Sequence, residues 1–216
     1  MLKKVAVFWF RRDLRLEDNV ALNKALNSGK TVLPIFIFDE EILDKLHKDD
    51  PRVTFIYQTL SKIDKQLKSI NSSILIKKGN PIKVWKKLVV DFDITAVYCN
   101  KDYEPYALQR DNQIQEFLAT KSISFFNYKD QVIFEKNEVV KNDGLPYTVY
   151  TPYKNKWLQK FDSENDTKEY SINFSHFFKD FLCSSCFYSF VFFVLFHFFK
   201  SFCVNCFFLV TFIMLI

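Results

Sequence analysis

Five short runs of β-branched and aromatic residues recur along the chain with helix-length stretches between them, and this alternation admits few folds. Residues 4–10 (KVAVFWF), 31–38 (TVLPIFIF), 73–77 (SILIK), 94–99 (ITAVYC) and 123–127 (ISFFN) are largely apolar at odd and even positions alike, as strands buried on both faces should be. Pro34 withholds an amide inside the second run and weakens that assignment. Ile56, Tyr57, Leu60, Ile63, Leu67 and Ile70 follow the three-and-four spacing of an amphipathic helix opened by Pro51. Shorter helices fit 20–27, 82–92 and 106–120, with Asp18 and Asn80 as caps. Parallel strands need crossovers long enough to hold a helix, so the pattern predicts an α/β fold. The expected architecture is a doubly wound, Rossmann-like sheet of the flavodoxin type, with five mostly parallel strands. Such sheets bind ligands beyond the carboxyl ends of their strands, where strand order reverses. That singles out the residues after Phe10, Phe38 and Cys99.

Several function classes are excluded by what the chain lacks. Its glycines are Gly29, Gly79 and Gly144, so no GxGxxG turn or Walker-type phosphate cradle can be written. It has no HExxH or GxSxG segment, and its histidines are scattered at positions 47, 176 and 197. The formal charge of +5 arises from 30 basic and 25 acidic residues, a mixed surface rather than the concentrated field of a dedicated nucleic-acid binder. Lys3 and Lys4 lead into a strand and then a charged loop, unlike a secretory leader, so the body is expected to be cytoplasmic. Cys99 reads as a buried strand thiol, and Trp9 and Trp85 as core aromatics.

The composition changes sharply near Asp180. Residues 181–216 hold 12 of the 26 Phe and four of the five Cys, with Lys200 their one formal charge. Phe, Cys, Ser, Leu and Val share T-rich codons, so a frameshift near codon 180 of an AT-rich gene would produce this low-complexity segment. Two rival readings stand beside it. Residues 181–199 approach the length of a membrane span. Cys183, Cys186, Cys203 and Cys206 have the spacing of a four-thiolate zinc site, but the sixteen residues between the pairs contain no Gly, Pro or acid to form its turns, so no metal is expected.

The segment after the first strand, Trp9-Phe10-Arg11-Arg12-Asp13-Leu14-Arg15-Leu16-Glu17-Asp18-Asn19, resembles the opening signature of the photolyase and cryptochrome family. Read from its residues alone, it is a salt-bridged strand-to-helix turn whose arginines and acids can pair with one another. Residues 100–107 (NKDYEPYA), followed by Arg110-Asp111, are similar to the family's loop after the fourth strand. Residues 147–157 (YTVYTPYKNKW) are similar to its end-of-domain stretch. The resemblance covers residues 4–160. It implies an N-terminal domain holding a light-harvesting pigment, which passes excitation to FAD in a following domain for repair of pyrimidine dimers in DNA.

By the same resemblance, Phe36, Ile37, Phe38, Asp39, Asp102 and Glu104 correspond to a deazaflavin type of pocket. Tyr106 and Ala107 replace the Asn-Glu pair of folate-type members, favouring deazaflavin over folate, while His47 falls where folate-type members also carry a His. The plain alternatives are that Asp102 and Glu104 are solvated loop acids and His47 a surface residue. The expected organisation is an α/β domain over 1–130, an interdomain linker region over 131–180 with a polar stretch at 162–168, and the hydrophobic tail 181–216. The leading functional expectation is the antenna domain of a photolyase, inactive in repair because the FAD domain is lacking, whose partners are chaperones or a membrane reached through the tail. The alternative is a stand-alone pigment- or nucleotide-binding signalling module with a membrane-associating tail.

Overall fold

The computed structural model describes residues 4–179. The frameshift, zinc and membrane-span readings of 181–216 fall outside the described residues. The expected strands form as β1 (Lys4–Phe10), β2 (Val32–Asp39), β3 (Leu75–Gly79), β4 (Asp93–Asn100) and β5 (Ser124–Tyr128). They build one sheet in the order β3-β2-β1-β4-β5, with every pairing parallel. The helices are α1 (Val20–Leu26), α2 (Glu40–Leu43), α3 (Pro51–Lys68), α4 (Pro81–Asp91), α5 (Pro105–Ala119), α6 (Tyr150–Lys160) and α7 (Ser163–Asp166).

Alternate side chains of β1 feed two cores. Ala6, Phe8 and Phe10 pack with Leu22 and Leu26 of α1 and Leu60 and Leu67 of α3. Val5, Val7 and Trp9 pack on the other face with Trp85 and Leu88 of α4 and Ile114 and Leu118 of α5. Each such apolar side chain, fully buried, contributes roughly 1.5–3 kcal/mol. The architecture is therefore the doubly wound, Rossmann-like α/β sheet that the alternation predicts, but its strand order is 3-2-1-4-5 and not the flavodoxin-type 2-1-3-4-5, a choice that strand periodicity does not encode. Pro34 is tolerated inside β2 because β3 joins the ladder only at Ile35, so β2 is locally an edge where the missing amide forfeits no bond.

Several details differ from expectation, among them the helices α2 and α6, the latter inside the expected linker. The cap of α1 is Asn19, whose side chain accepts from the Leu22 amide, and not Asp18. Asp18 takes φ 46°, a left-handed turn, and its carboxylate accepts from the Tyr170 amide at 3.2 Å. The polar stretch 162–168 contains the single helical turn α7, capped by Asp162. Farther on, the chain returns to the sheet: Phe177 bridges to Val32 and the Phe178 amide donates to the Val32 carbonyl at 2.8 Å. Phe177 enters the core beside α1 and α3, and Phe178 the core beside α4 and α5.

Cys99 is wholly buried, and desolvation pushes its thiol up to about 12 from an ordinary 9.0. A raised acid pKa means that the fold favours the protonated form, so this contribution to stability is complete below pH 9 and is lost as pH rises toward 12. Alkylation by iodoacetamide at pH 8.5, followed by peptide mapping, should leave Cys99 unmodified in the native chain and modify it in urea. Rapid native labelling would contradict its placement.

Candidate functional site

Strand order reverses at β1, which lies between β2 and β4, so the ligand-binding crevice should open over the carboxyl ends of these strands. Past β1 the chain enters a loop of alternating charge whose geometry is set by long-range partners. Arg12 donates to Glu104 at 2.7 Å and lies 3.5 Å from Asp102. Arg15 donates to Asp130 at 2.8 Å. Arg11, buried against α5, pairs with Asp111. The expectation that these arginines pair with acids of their own segment is thus corrected: their carboxylate partners lie about a hundred residues downstream, although Arg15 also donates to the nearby Asp18 carbonyl at 2.6 Å.

A polar lock fixes this loop from below. Asn100, at the end of β4, donates to Asp13 at 2.6 Å and to Asn19 at 2.9 Å, and accepts from the Ala21 amide at 2.9 Å. Asp130 accepts from the Val20 amide at 3.1 Å, so the first amides of α1 are occupied by protein groups. Asn19 and Asn100 are both buried, and their amides have the partners that burial demands. Above the lock, Arg12, Arg15, Lys101, Asp102 and Asp130 line a cavity of 320 Å³.

Beside it, the end of β2 meets α5. Beyond Phe36, which pairs with Phe10, β2 continues for three residues alongside β3, past the end of its ladder with β1. Asp39, the last of them, caps α2 through the Glu41 amide and accepts from the Tyr106 hydroxyl at 2.6 Å. Burial raises the Tyr106 phenol above its ordinary range and the bond to Asp39 raises it further, so the hydroxyl remains a donor. Arg110 donates to Asp111 at 3.1 Å and, with Arg11, flanks the Trp9 indole at 5.0 and 5.2 Å. Nε and Nη2 of Arg11 are buried and have no hydrogen-bond partner.

The residues named from the sequence therefore separate into groups. Phe36 and Phe38 fill one core and Ile37 the other, so what they can offer a ligand is strand-end backbone. Asp39 is buried and shares a network with Tyr106 and Arg110, while Asp102 and Glu104 meet at Arg12. The Glu104 side chain is 64 % exposed and that of Asp102 11 %, so the two are not equivalent loop acids. His47 is exposed in the turn between α2 and α3, where its carbonyl accepts from the Asp50 amide, and no hydrogen bond of its ring to these residues is present. Sequence reasoning missed Asn100 and Asp130 as site-forming groups. Asn100 opens the recognised segment 100–107 but its three partners lie on the loop after β1 and on α1, and Asp130 stands 115 residues from the arginine that it holds.

Comparison with known proteins bears on the same residues. The sequence model of the family described as DNA photolyase matches residues 6–171. A deoxyribodipyrimidine photo-lyase of Synechococcus sp. is 31 % identical over 151 residues, 70 % of this chain and 31 % of that relative. Cryptochrome-2 of Arabidopsis thaliana is 32 % identical over 158 residues, 73 % of this chain and 26 % of the relative. The chain thus spans about a quarter to a third of the length of such relatives. Among solved structures, the archaeal photolyase of Sulfolobus tokodaii, containing two FAD molecules, is 32 % identical with a TM-score of 0.54, over 61 % of this chain and 31 % of that one. A class III photolyase from Agrobacterium tumefaciens shares the fold, with a TM-score of 0.70 at 22 % identity over 82 % of this chain and 35 % of that one. Among the described residues, no helix is long and apolar enough to cross a membrane.

Proposed function

The chain belongs to the DNA photolyase family, and from that premise we propose that its α/β domain holds a light-harvesting pigment of the deazaflavin type at the carboxyl end of the sheet. In photolyases such a domain serves an FAD-dependent repair of pyrimidine dimers in DNA, and here it would collect light for that reaction. The observations that carry the reading are the β2 overhang, where Asp39 meets Tyr106 of α5, and the polar cavity lined by Asp102 and by Arg12, which also holds Glu104.

The residues present fit such a group. Buried Nε and Nη2 of Arg11 lack partners, which suits a neighbour bearing carbonyl oxygens. Asp102 and Glu104 would accept hydrogen bonds from ring or side-chain hydroxyls, Arg12 would hold both acids in place, and the Tyr106 ring would offer a flat surface. When bound, the pigment supplies absorption of near-ultraviolet and blue light and an excited state that can be passed on. The Sulfolobus tokodaii photolyase, whose structure implies a novel light-harvesting cofactor and contains two FAD molecules, supports a tricyclic ring over a folate. Tyr106 supports it too, since its hydroxyl is committed to Asp39.

Fluorescence titration of the chain with an 8-hydroxy-5-deazaflavin should give saturable binding. Asp102→Asn combined with Glu104→Gln should weaken it about tenfold or more, since a hydrogen bond to a charged group contributes roughly 1.5–3 kcal/mol. Binding of methenyltetrahydrofolate in preference, or undiminished affinity of the double variant, would refute the assignment.

A further inference from the structure

The end of the sheet opposite the candidate site carries lysines that outnumber the acids beside them among the described residues. Two cavities open there, of 840 and 500 Å³, and Lys4 lines both. The larger is lined by Lys86 and Lys121 together with apolar Val89, Val90, Phe92 and Phe117. The smaller adds Lys30 and Lys179. All five lysines are exposed, and none forms an ion pair among the described residues. Asp93 is the one acid that lines either cavity. Between the lysines, Val90 is 71 % exposed. The chain also leaves the described fold at this end: Phe178 packs on Phe92 with ring centroids 6.4 Å apart, and Lys179 follows. In the sequence, Asp180 follows and the uncharged stretch 181–199 begins after it.

We propose that this end of the domain is a docking surface for a membrane carrying anionic phospholipids. Lysines near such a surface are drawn to its headgroups. Exposed Val90 and the apolar lining suit the boundary between headgroups and acyl chains. Binding to such a surface grows with buried apolar area and with attraction to anionic headgroups, and the apolar residues and lysines lining this end supply both. Duplex DNA would use the lysines but would have no use for exposed Val90 or the apolar lining, so lipid is the favoured partner. The site is separate from the pigment crevice and does not depend on it.

Cosedimentation of the full chain with vesicles tests the proposal. The chain should bind phosphatidylcholine–phosphatidylserine vesicles at least about tenfold more tightly than phosphatidylcholine vesicles, and salt should weaken the difference. Lys4→Gln with Lys86→Gln and Lys121→Gln should lower affinity for the anionic vesicles roughly 100-fold, about fivefold per lysine, and leave binding to neutral vesicles unchanged. Val90→Glu should act in the same direction. These surface substitutions should preserve the far-ultraviolet circular dichroism and the melting temperature, which separates lost docking from lost folding. Equal binding to both vesicle types, no binding, or an unaffected lysine variant would overturn the proposal. So would a lysine variant that releases duplex DNA while still binding anionic vesicles.

Discussion

Asp111→Ala should destabilise the chain by about 3–5 kcal/mol, the cost typical of removing one partner from a buried ion pair. Asp111 and Arg11 have side chains only 6 % and 5 % exposed, and Arg110, at 10 %, leans on the same carboxylate. Without it, two guanidinium groups near the Trp9 indole would lose the carboxylate they share, and the nearest oxygen of Asp39 is 3.9 Å from Arg110. Small domains are stable by only about 5–15 kcal/mol, so the loss is a large share of the total. Urea unfolding followed by tryptophan fluorescence would measure it. A companion variant with Arg11→Leu and Asp111→Leu should recover much of the loss, because replacing both charges with apolar groups removes the uncompensated ion. If Asp111→Ala costs less than about 1 kcal/mol, the pair is hydrated and the core above Trp9 is looser than described.

Phe177→Ala should cost about 3–5 kcal/mol, the range for deleting a fully buried aromatic side chain. Phe177 is 1 % exposed among residues of β1, β2, α1 and α3. Its neighbour Phe178 donates its amide to Val32, and His176 Nδ1 lies 2.7 Å from the Leu26 carbonyl. Phe174→Ala, at a ring 40 % exposed, is the matched control and should cost under about 1 kcal/mol. The pair of measurements distinguishes a segment that completes the α/β core from one that merely follows it. Equal, small effects at both positions would show that the segment after α7 is not an integral part of the fold.

The strands were legible because both of their faces are buried, so each writes itself as a continuous apolar run that needs no knowledge of its neighbours. Helices α3 and α4 were legible for a related reason. A proline at the first helical position and an aspartate or asparagine before it are local signals, satisfied by the amides of the same helix. The short α2 went unnoticed, since a single turn capped by Asp39 leaves no periodic trace. Asp18 was mistaken for the cap of α1 because Asp and Asn are nearly equivalent in preference. The choice falls to Asn19 because only an amide can both accept from Leu22 and donate toward Asp13.

The candidate site was legible in part. Trp9 through Asn19 and the loop after β4 were recognisable as segments, and the positions Asp39, Asp102 and Glu104 fall where the structure gathers polar groups. Their partners were not legible. Arg15 meets Asp130, and Arg11 meets Asp111, across separations that no spacing rule reaches. Periodicity and capping act within one turn or one strand, so the sequence by itself determined the five strands, the helices α1, α3, α4 and α5, and that they would layer as a parallel α/β sheet. Charge pairing acts through space, at distances of about 3 Å between residues brought together only after the sheet has assembled. The tertiary structure alone therefore decided which acid each arginine holds, how Asn100 locks the loop, and that Phe177 and Phe178 return to close both cores.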